Sequence, residues 1–194
     1  MELRDKKGLT EEEFLRQYNS NRYPKPSLTA DNVLFSISRK FGLEVLLIQR
    51  KGHPFMTRWA FPGGFADAGE ELSYTAKREL QEETGLTGVD TALLGVYSAP
   101  GRDPRGWVVS AAYYTVVDRS RLKAKAGDDA SDARWFSVSF SDKGLEAVEN
   151  DTIRLDRDSR GCFLAFDHDK ILFDGCKAVS NILQKQVDTK SLFN

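Results

Sequence analysis

The fold turns on one stretch, Gly64-Phe-Ala-Asp-Ala-Gly-Glu70-Glu-Leu-Ser-Tyr-Thr-Ala-Lys-Arg78-Glu79-Leu80-Gln-Glu82-Glu83-Thr-Gly85-Leu86. It reads as a helix over 70–84 that Gly85 stops, because glycine readily takes the left-handed conformation that ends helices. At about 100° per residue, Glu79 and Glu83 share a face with Glu82 beside them. Leu72 and Ala76 fall on the same side, and Tyr74, Lys77 and Gln81 on the opposite one. Acids that served only solubility would sit opposite the apolar residues, so these carboxylates turn toward the rest of the protein. Like charges at such spacings repel by roughly a few tenths of a kcal/mol per exposed pair, and by more where water is excluded. A positive partner is therefore expected. Hard oxygen ligands suit Mg²⁺ or Mn²⁺, and Mg²⁺ commonly binds through a few carboxylates together with substrate phosphates. Arg78 is placed to pair with one acid and fix its rotamer. Taken alone, this string also fits a solvated acidic helix with an ordinary Arg78–Glu82 pair.

The spacing goes further than the helix. A glycine, five residues, Glu70, seven residues and then Arg78-Glu79-Leu80-Gln-Glu82-Glu83-Thr-Gly85-Leu86 resembles the Nudix box at every specified position. The resemblance extends over roughly residues 30–185. It implies that Glu79, Glu82 and Glu83 hold the divalent ions that clamp a diphosphate, with the Gly63 carbonyl as a further ligand and with Glu82 and Glu83 among the catalytic groups. The ions would neutralise phosphate charge and lower the pKa of an attacking water. Glu70 reads as a brace for the corner between loop and helix. Gly63, Gly64, Gly69 and Gly85 read as residues that permit tight backbone turns.

Working outward, Asp31–Ser38 and Leu43–Arg50 are apolar runs joined by a turn containing Gly42, a β-hairpin pattern. Residues 51–69 combine glycine and proline with Trp59, Phe61 and Phe65, which marks an ordered loop and not a linker. Strand-like runs follow at 92–97, 107–117 and 133–138, and a final helix is expected over 167–186 with Asp167 as its cap. Upstream, Thr10 before three glutamates is a helix-start signal for a short leading helix. Strands around one central helix, with another helix at the end, predict an α/β protein, an α/β/α sandwich with a central mixed β-sheet, and the resemblance makes it the Nudix fold. The expected organisation is an N-terminal helical extension over 1–28 and a Nudix hydrolase domain over 29–194. No internal repeat or low-complexity segment is present.

The box fixes a reaction type and leaves the substrate to its flanks. Arg50–Phe65 and Ser98–Trp107 resemble the ADP-ribose pyrophosphatase branch, and Pro100, fifteen residues beyond Gly85, is similar to a proline that marks it. Arg50, Arg102 and Arg105 are candidate contacts to phosphate or ribose, the latter two on a proline-stiffened loop. The other reading of that loop is a solvent-facing turn held by pairing with Asp103. Trp59 and Phe65 are candidate stacking partners for adenine; packing beneath the loop accounts equally well for either. By the same resemblance, an acid on a loop outside the box activates water, and Asp129, then Asp128, is the candidate. Pyrophosphatases of this kind that use glutamate differ here, so a box glutamate also stands as the base. His53 and His168, each a lone histidine, read as non-catalytic.

The bulk properties narrow the class. The 194 residues are 40% hydrophobic, enough for one compact domain with a terminal extension. With 28 basic and 29 acidic residues the formal charge is -1, and no basic stretch suggests a nucleic-acid partner. Cys162 and Cys176 are too few for a zinc cluster or a disulfide framework. The charged start lacks a secretory pattern and no apolar segment approaches the ~20 residues that span a bilayer, so a cytoplasmic protein without membrane contact is expected. Homodimer formation is compatible with the family. Other substrates remain open: a nucleotide sugar, a dinucleoside polyphosphate or an oxidised nucleotide. Pro100–Arg105 and Leu164–Asp169 also resemble Nudix-related regulators of NAD metabolism, which sense ADP-ribose without needing to hydrolyse it. Those regulators carry a DNA-binding domain after the Nudix domain, and too little chain follows here for one.

Overall fold

Strand β1 (Ser27–Ser38) organises the molecule, and its middle is buried on both sides. Alternate residues of a strand point to opposite faces, so one strand feeds two layers. In the computed structural model, which describes residues 2–121 and 130–191, with side chains over 2–120 and 130–184, Val33 and Phe35 join one core cluster and Leu34 another. Strand β2 (Gly42–Arg50) repeats the division: Val45 and Leu47 go with the first cluster and Leu46 with the second. The two strands form the hairpin that the sequence predicts, with Phe35 opposite Val45.

Two short strands lie within the loop over 51–69. Strand β3 (Trp59–Ala60) pairs with β2, and β4 (Gly63–Phe65) pairs with β1. Helix α2 (Leu72–Thr84) follows, then β5 (Ala92–Tyr97), β6 (Val108–Val116), a short 3-10 turn (Arg119–Arg121), β7 (Ala130–Ser141), β8 (Gly144–Glu149) and helix α3 (His168–Ser191). The leading helix α1 (Glu11–Gln17) is closed by the Thr10 and Glu13 capping box, and none of its residues is buried. Among the described residues, eight strands form one sheet in the order β5-β6-β1-β2-β7-β8, with β3 and β4 attached to β2 and β1. The β1–β6 pair is parallel and its neighbours antiparallel, so the sheet is mixed as expected. Helix α2 packs on β1, β4 and β6, and α3 on β5, β6 and β8. The result is the predicted α/β/α sandwich.

The boundaries differ from the sequence expectation for identifiable reasons. Helix α2 starts at Leu72 and not at Glu70, because the Glu70 carboxylate is engaged with Arg78, Thr75 and the Asp67 N–H. Strand β7 is longer than predicted and continues into the unpredicted β8, the turn lying between Ser141 and its register partner Gly144. Helix α3 runs to Ser191, past the expected end at 186. Asp167 does not cap it with its side chain, which binds Arg102, although its carbonyl accepts the Lys170 N–H. Gly85 ends α2 as predicted, in the left-handed conformation with its N–H on the Gln81 carbonyl. No helix among the described residues is long and apolar enough to cross a membrane.

Candidate active site

The site forms where β4 slides between β1 and α2, and two glycines make that approach possible. A Cβ on Gly63 would lie 2.3 Å from the Ala30 carbonyl oxygen, and one on Gly64 would lie 2.4 Å from a Glu79 carboxylate oxygen. A side chain at Gly63 would push β4 from β1, and one at Gly64 would push Glu79 from its place. Asn32 secures the same corner from β1, donating from its side chain to the Ala76 carbonyl at 2.8 Å and the Pro62 carbonyl at 3.3 Å.

Arg78 lies at the centre of the acids on α2. Its Nε and Nη2 hold Glu70 at 2.9 and 3.1 Å, its Nη1 reaches Glu79 at 2.7 Å and Glu82 at 3.0 Å, and Nη2 also meets the Phe65 carbonyl. These hydrogen bonds, with one from Thr75, hold the Glu70 carboxyl down at about 2. Glu79 moves the other way: burial raises its pKa despite the Arg78 contact. Glu83, nearly buried, accepts the Gly63 N–H at 2.7 Å. Glu82 leans outward toward Arg78, its side chain 57% exposed.

Glu79, Glu83, Gly63 and Gly64 line a cavity of about 600 Å³. Among the described residues, no three Asp, Glu, His or Cys side chains converge into a ready-made cation cage. Mg²⁺ often takes only one or two carboxylates and completes its shell with water and substrate phosphate, so two partly desolvated glutamates beside a backbone carbonyl fit it. Glu82 is outside the cavity lining.

The opposite wall is basic and aromatic. Arg50 lines the cavity, with its Nε on the Pro54 carbonyl and its guanidinium over the Phe166 ring. Arg105 is gripped by Asp103, with Nη2 to Oδ2 at 2.7 Å, and lies over Phe65 at 4.7 Å and Phe166 at 5.4 Å. Arg102 is buried in a two-point ion pair with Asp167, at 2.9 and 2.6 Å. The Asp103 pairing expected of this loop therefore belongs to Arg105. Phe65 is 40% exposed, and one side of its ring is taken by Arg105. Trp59, read from the sequence as a stacking residue, is instead a core residue: it is 5% exposed, packs edge-on against Phe136 and does not line the cavity. Its pairing with β2 turns it into the apolar layer.

Two lining residues are not among those the sequence assigns to the site: Asp31 is not singled out there, and His168 reads as non-catalytic. Asp31, on β1, is buried and accepts a hydrogen bond from the Ser110 hydroxyl. Burial, partly offset by that bond and by nearby Arg102, pushes its pKa up to about 6. His168, at the start of α3, stacks on Phe61 and accepts the Phe61 N–H at Nδ1. Burial drives its pKa down to about 3, so the ring is neutral near pH 7. His53, set aside in the sequence, also lines the cavity. Asp128 and Asp129 lie outside the described residues.

A family model described as NUDIX domain matches residues 28–153. The ADP-ribose pyrophosphatase of Methanocaldococcus jannaschii is 37% identical over 152 residues, covering 78% of this chain and 74% of that protein. The ADPR responsive transcriptional repressor NtrR of Acinetobacter baylyi is 29% identical over 174 residues, covering 89% of this chain but only 62% of that protein. The solved NUDIX domain of Shewanella oneidensis NrtR, complexed with ADP ribose, has a TM-score of 0.59 at 34% identity, over 66% of this chain and 82% of that one.

Proposed function

The chain belongs to the Nudix family of pyrophosphohydrolases, and from that premise we propose that it hydrolyses ADP-ribose to AMP and ribose 5-phosphate in a Mg²⁺-dependent reaction. The observation that carries this reading is the pairing of Glu79 and Glu83 against the Gly63–Gly64 corner of one cavity, with arginines on its other wall. The M. jannaschii relative supports the substrate. Glu79, Glu83 and the Gly63 carbonyl, with Glu82, would hold a divalent cation, which would supply charge neutralisation at the diphosphate and a more acidic water. The chain's own groups do the rest. Arg78 orients Glu79 and braces the corner through Glu70. Gly63 fixes Glu83 through its N–H. Arg50 and Arg105 offer positive charge to the phosphates, and Phe65 a ring face to the base. Arg102 acts one step back, holding Asp167 at the start of α3.

Asp129, then Asp128, is the proposed base. Changing both to asparagine should lower kcat by about 100-fold while KM stays within a few-fold; unchanged turnover would remove that loop from the mechanism and return the role to a box glutamate.

The decisive assay incubates the protein with Mg²⁺ or EDTA and a panel of ADP-ribose, NADH, ADP-glucose, diadenosine polyphosphates and 8-oxo-dGTP. Cation-dependent release of AMP chiefly from ADP-ribose is the expected result. Preference for another member changes the substrate and keeps the chemistry. The similarity to NtrR favours one second reading, a sensor, which predicts tight ADP-ribose binding without turnover.

A further inference from the structure

Asp31 and His168 are 137 positions apart in sequence and adjacent on the cavity wall, where Asp31 Oδ1 lies 3.8 Å from His168 Nε2. That distance is too long for a hydrogen bond. Asp31 uses its other oxygen for Ser110, and His168 uses Nδ1 to accept the Phe61 N–H. Accepting at Nδ1 makes Nε2 the protonated nitrogen of the neutral ring. The wall thus presents one donor and one acceptor side by side, and among the described residues neither atom has a hydrogen-bond partner of its own.

The chemistry of this pair is selective. A diphosphate esterified at both ends has no proton to give near neutral pH and is repelled by the Asp31 carboxylate. A cation fails as well, since the protonated Nε2 has no lone pair for it. A hydroxyl satisfies both atoms, accepting from Nε2–H and donating to Oδ1. Asp31 is the register partner of Gly63, beside the corner that carries Glu79 and Glu83. The groups that flank a diphosphate held at that corner are sugars.

We propose that Asp31 and His168 form a hydroxyl-binding pair that recognises a ribose of the substrate, making them specificity residues for a sugar-bearing nucleoside diphosphate. This rests on the reading that such a compound occupies the cavity, though it does not require that the compound be turned over.

Calorimetric titration in EDTA, which separates binding from turnover, tests it with wild type, Asp31→Asn and His168→Gln. The ligands are ADP-ribose, ADP and the 2′,3′-dideoxyadenosine analogue of ADP-ribose. Each variant should bind ADP-ribose about 10-fold more weakly, the scale of one lost hydrogen bond to a charged or buried partner. The penalty should vanish for the ligand that lacks the recognised hydroxyls: ADP if the pair holds the distal ribose, the dideoxy analogue if it holds the adenosine ribose. Equal penalties on all three ligands would mark a purely structural role and overturn the proposal, as would variants that bind ADP-ribose as wild type does. A wild type that binds ADP-ribose in EDTA but does not hydrolyse it once Mg²⁺ is added sinks the hydrolase reading and leaves this one to the variants; one that binds none of the ligands with or without Mg²⁺ removes both.

Discussion

The two faces of the central sheet are built from alternate residues of the same strands and are used differently. On the α3 face, Val33, Phe35, Val45 and Leu47 meet Ile171, Leu172, Cys176 and Val179 in an apolar layer. It packs so closely that a Cβ on Gly175 would come within 2.9 Å of the Phe35 ring. On the α2 face the apolar cluster shrinks to Leu34, Leu46, Leu80 and Leu86. Beside the small residues Thr75, Ala76 and Thr84, that helix turns Arg78, Glu79 and Glu83 toward the site, and its neighbour on β1 is Asn32. Close packing gives one face its stability. The other trades packing for carboxylates held in place by hydrogen bonds, so changes on the first face should be felt in folding and changes on the second in activity.

Phe35→Ala should break the first face most severely, costing about 3–5 kcal/mol of unfolding free energy in a urea titration, as large-to-small changes of buried aromatics do. A loss under about 1 kcal/mol would erase the distinction. Gly64→Ala tests the other face. Its added carbon displaces the Glu79 carboxylate, so kcat/KM should fall by about 100-fold, roughly 2.7 kcal/mol at the transition state, while unfolding changes by less. Equal losses in both would mean that this corner is a packing feature.

The smallest effect sharpens the comparison where the two faces meet at the cavity. His168 is held neutral with a pKa of about 3, below its ordinary 6.5. The unfolded chain therefore takes up that proton first as the pH falls. The contribution of His168 to stability is full above about pH 6.5 and drains away as the pH drops toward 3. Asp31, raised to about 6 from 3.8, has the opposite sign and stabilises the fold as the pH falls through that interval. The stability difference between wild type and His168→Gln, which isolates the histidine, should shrink by about 2 kcal/mol from about pH 7 to about pH 5. A difference independent of pH would show that burial does not hold the ring neutral.

What the sequence made legible follows the same division. The α2 register, its glycine stop and the β1–β2 hairpin are local patterns, and they were readable because periodicity and turn chemistry act over a few residues. Strands β3 and β4 are too short to show a period, and β8 follows a two-residue turn, Asp142-Lys143, that lacks the Asn-Gly or Asp-Gly pattern by which a hairpin is recognised. Trp59 illustrates a limit of another kind, since an aromatic in a glycine-rich loop looks alike whether it faces ligand or core until its strand partner is known. Arg102 and Arg105 were found as a pair, but only the fold shows that one is locked on Asp167 and the other lies over Phe65. Asp31 carries no local signal, and His168 has only the resemblance of Leu164–Asp169 to the ADP-ribose-sensing regulators; tertiary packing alone makes the two neighbours.

The central claim is that the α2 carboxylates serve chemistry at little cost to the fold, and Glu83→Gln tests it most directly because it keeps the size of the side chain and an oxygen for the Gly63 N–H. Mg²⁺-dependent AMP release from ADP-ribose should fall by about 10²–10³-fold, with the urea midpoint nearly unchanged. Wild-type turnover in this variant, or an unfolded protein, would contradict the account.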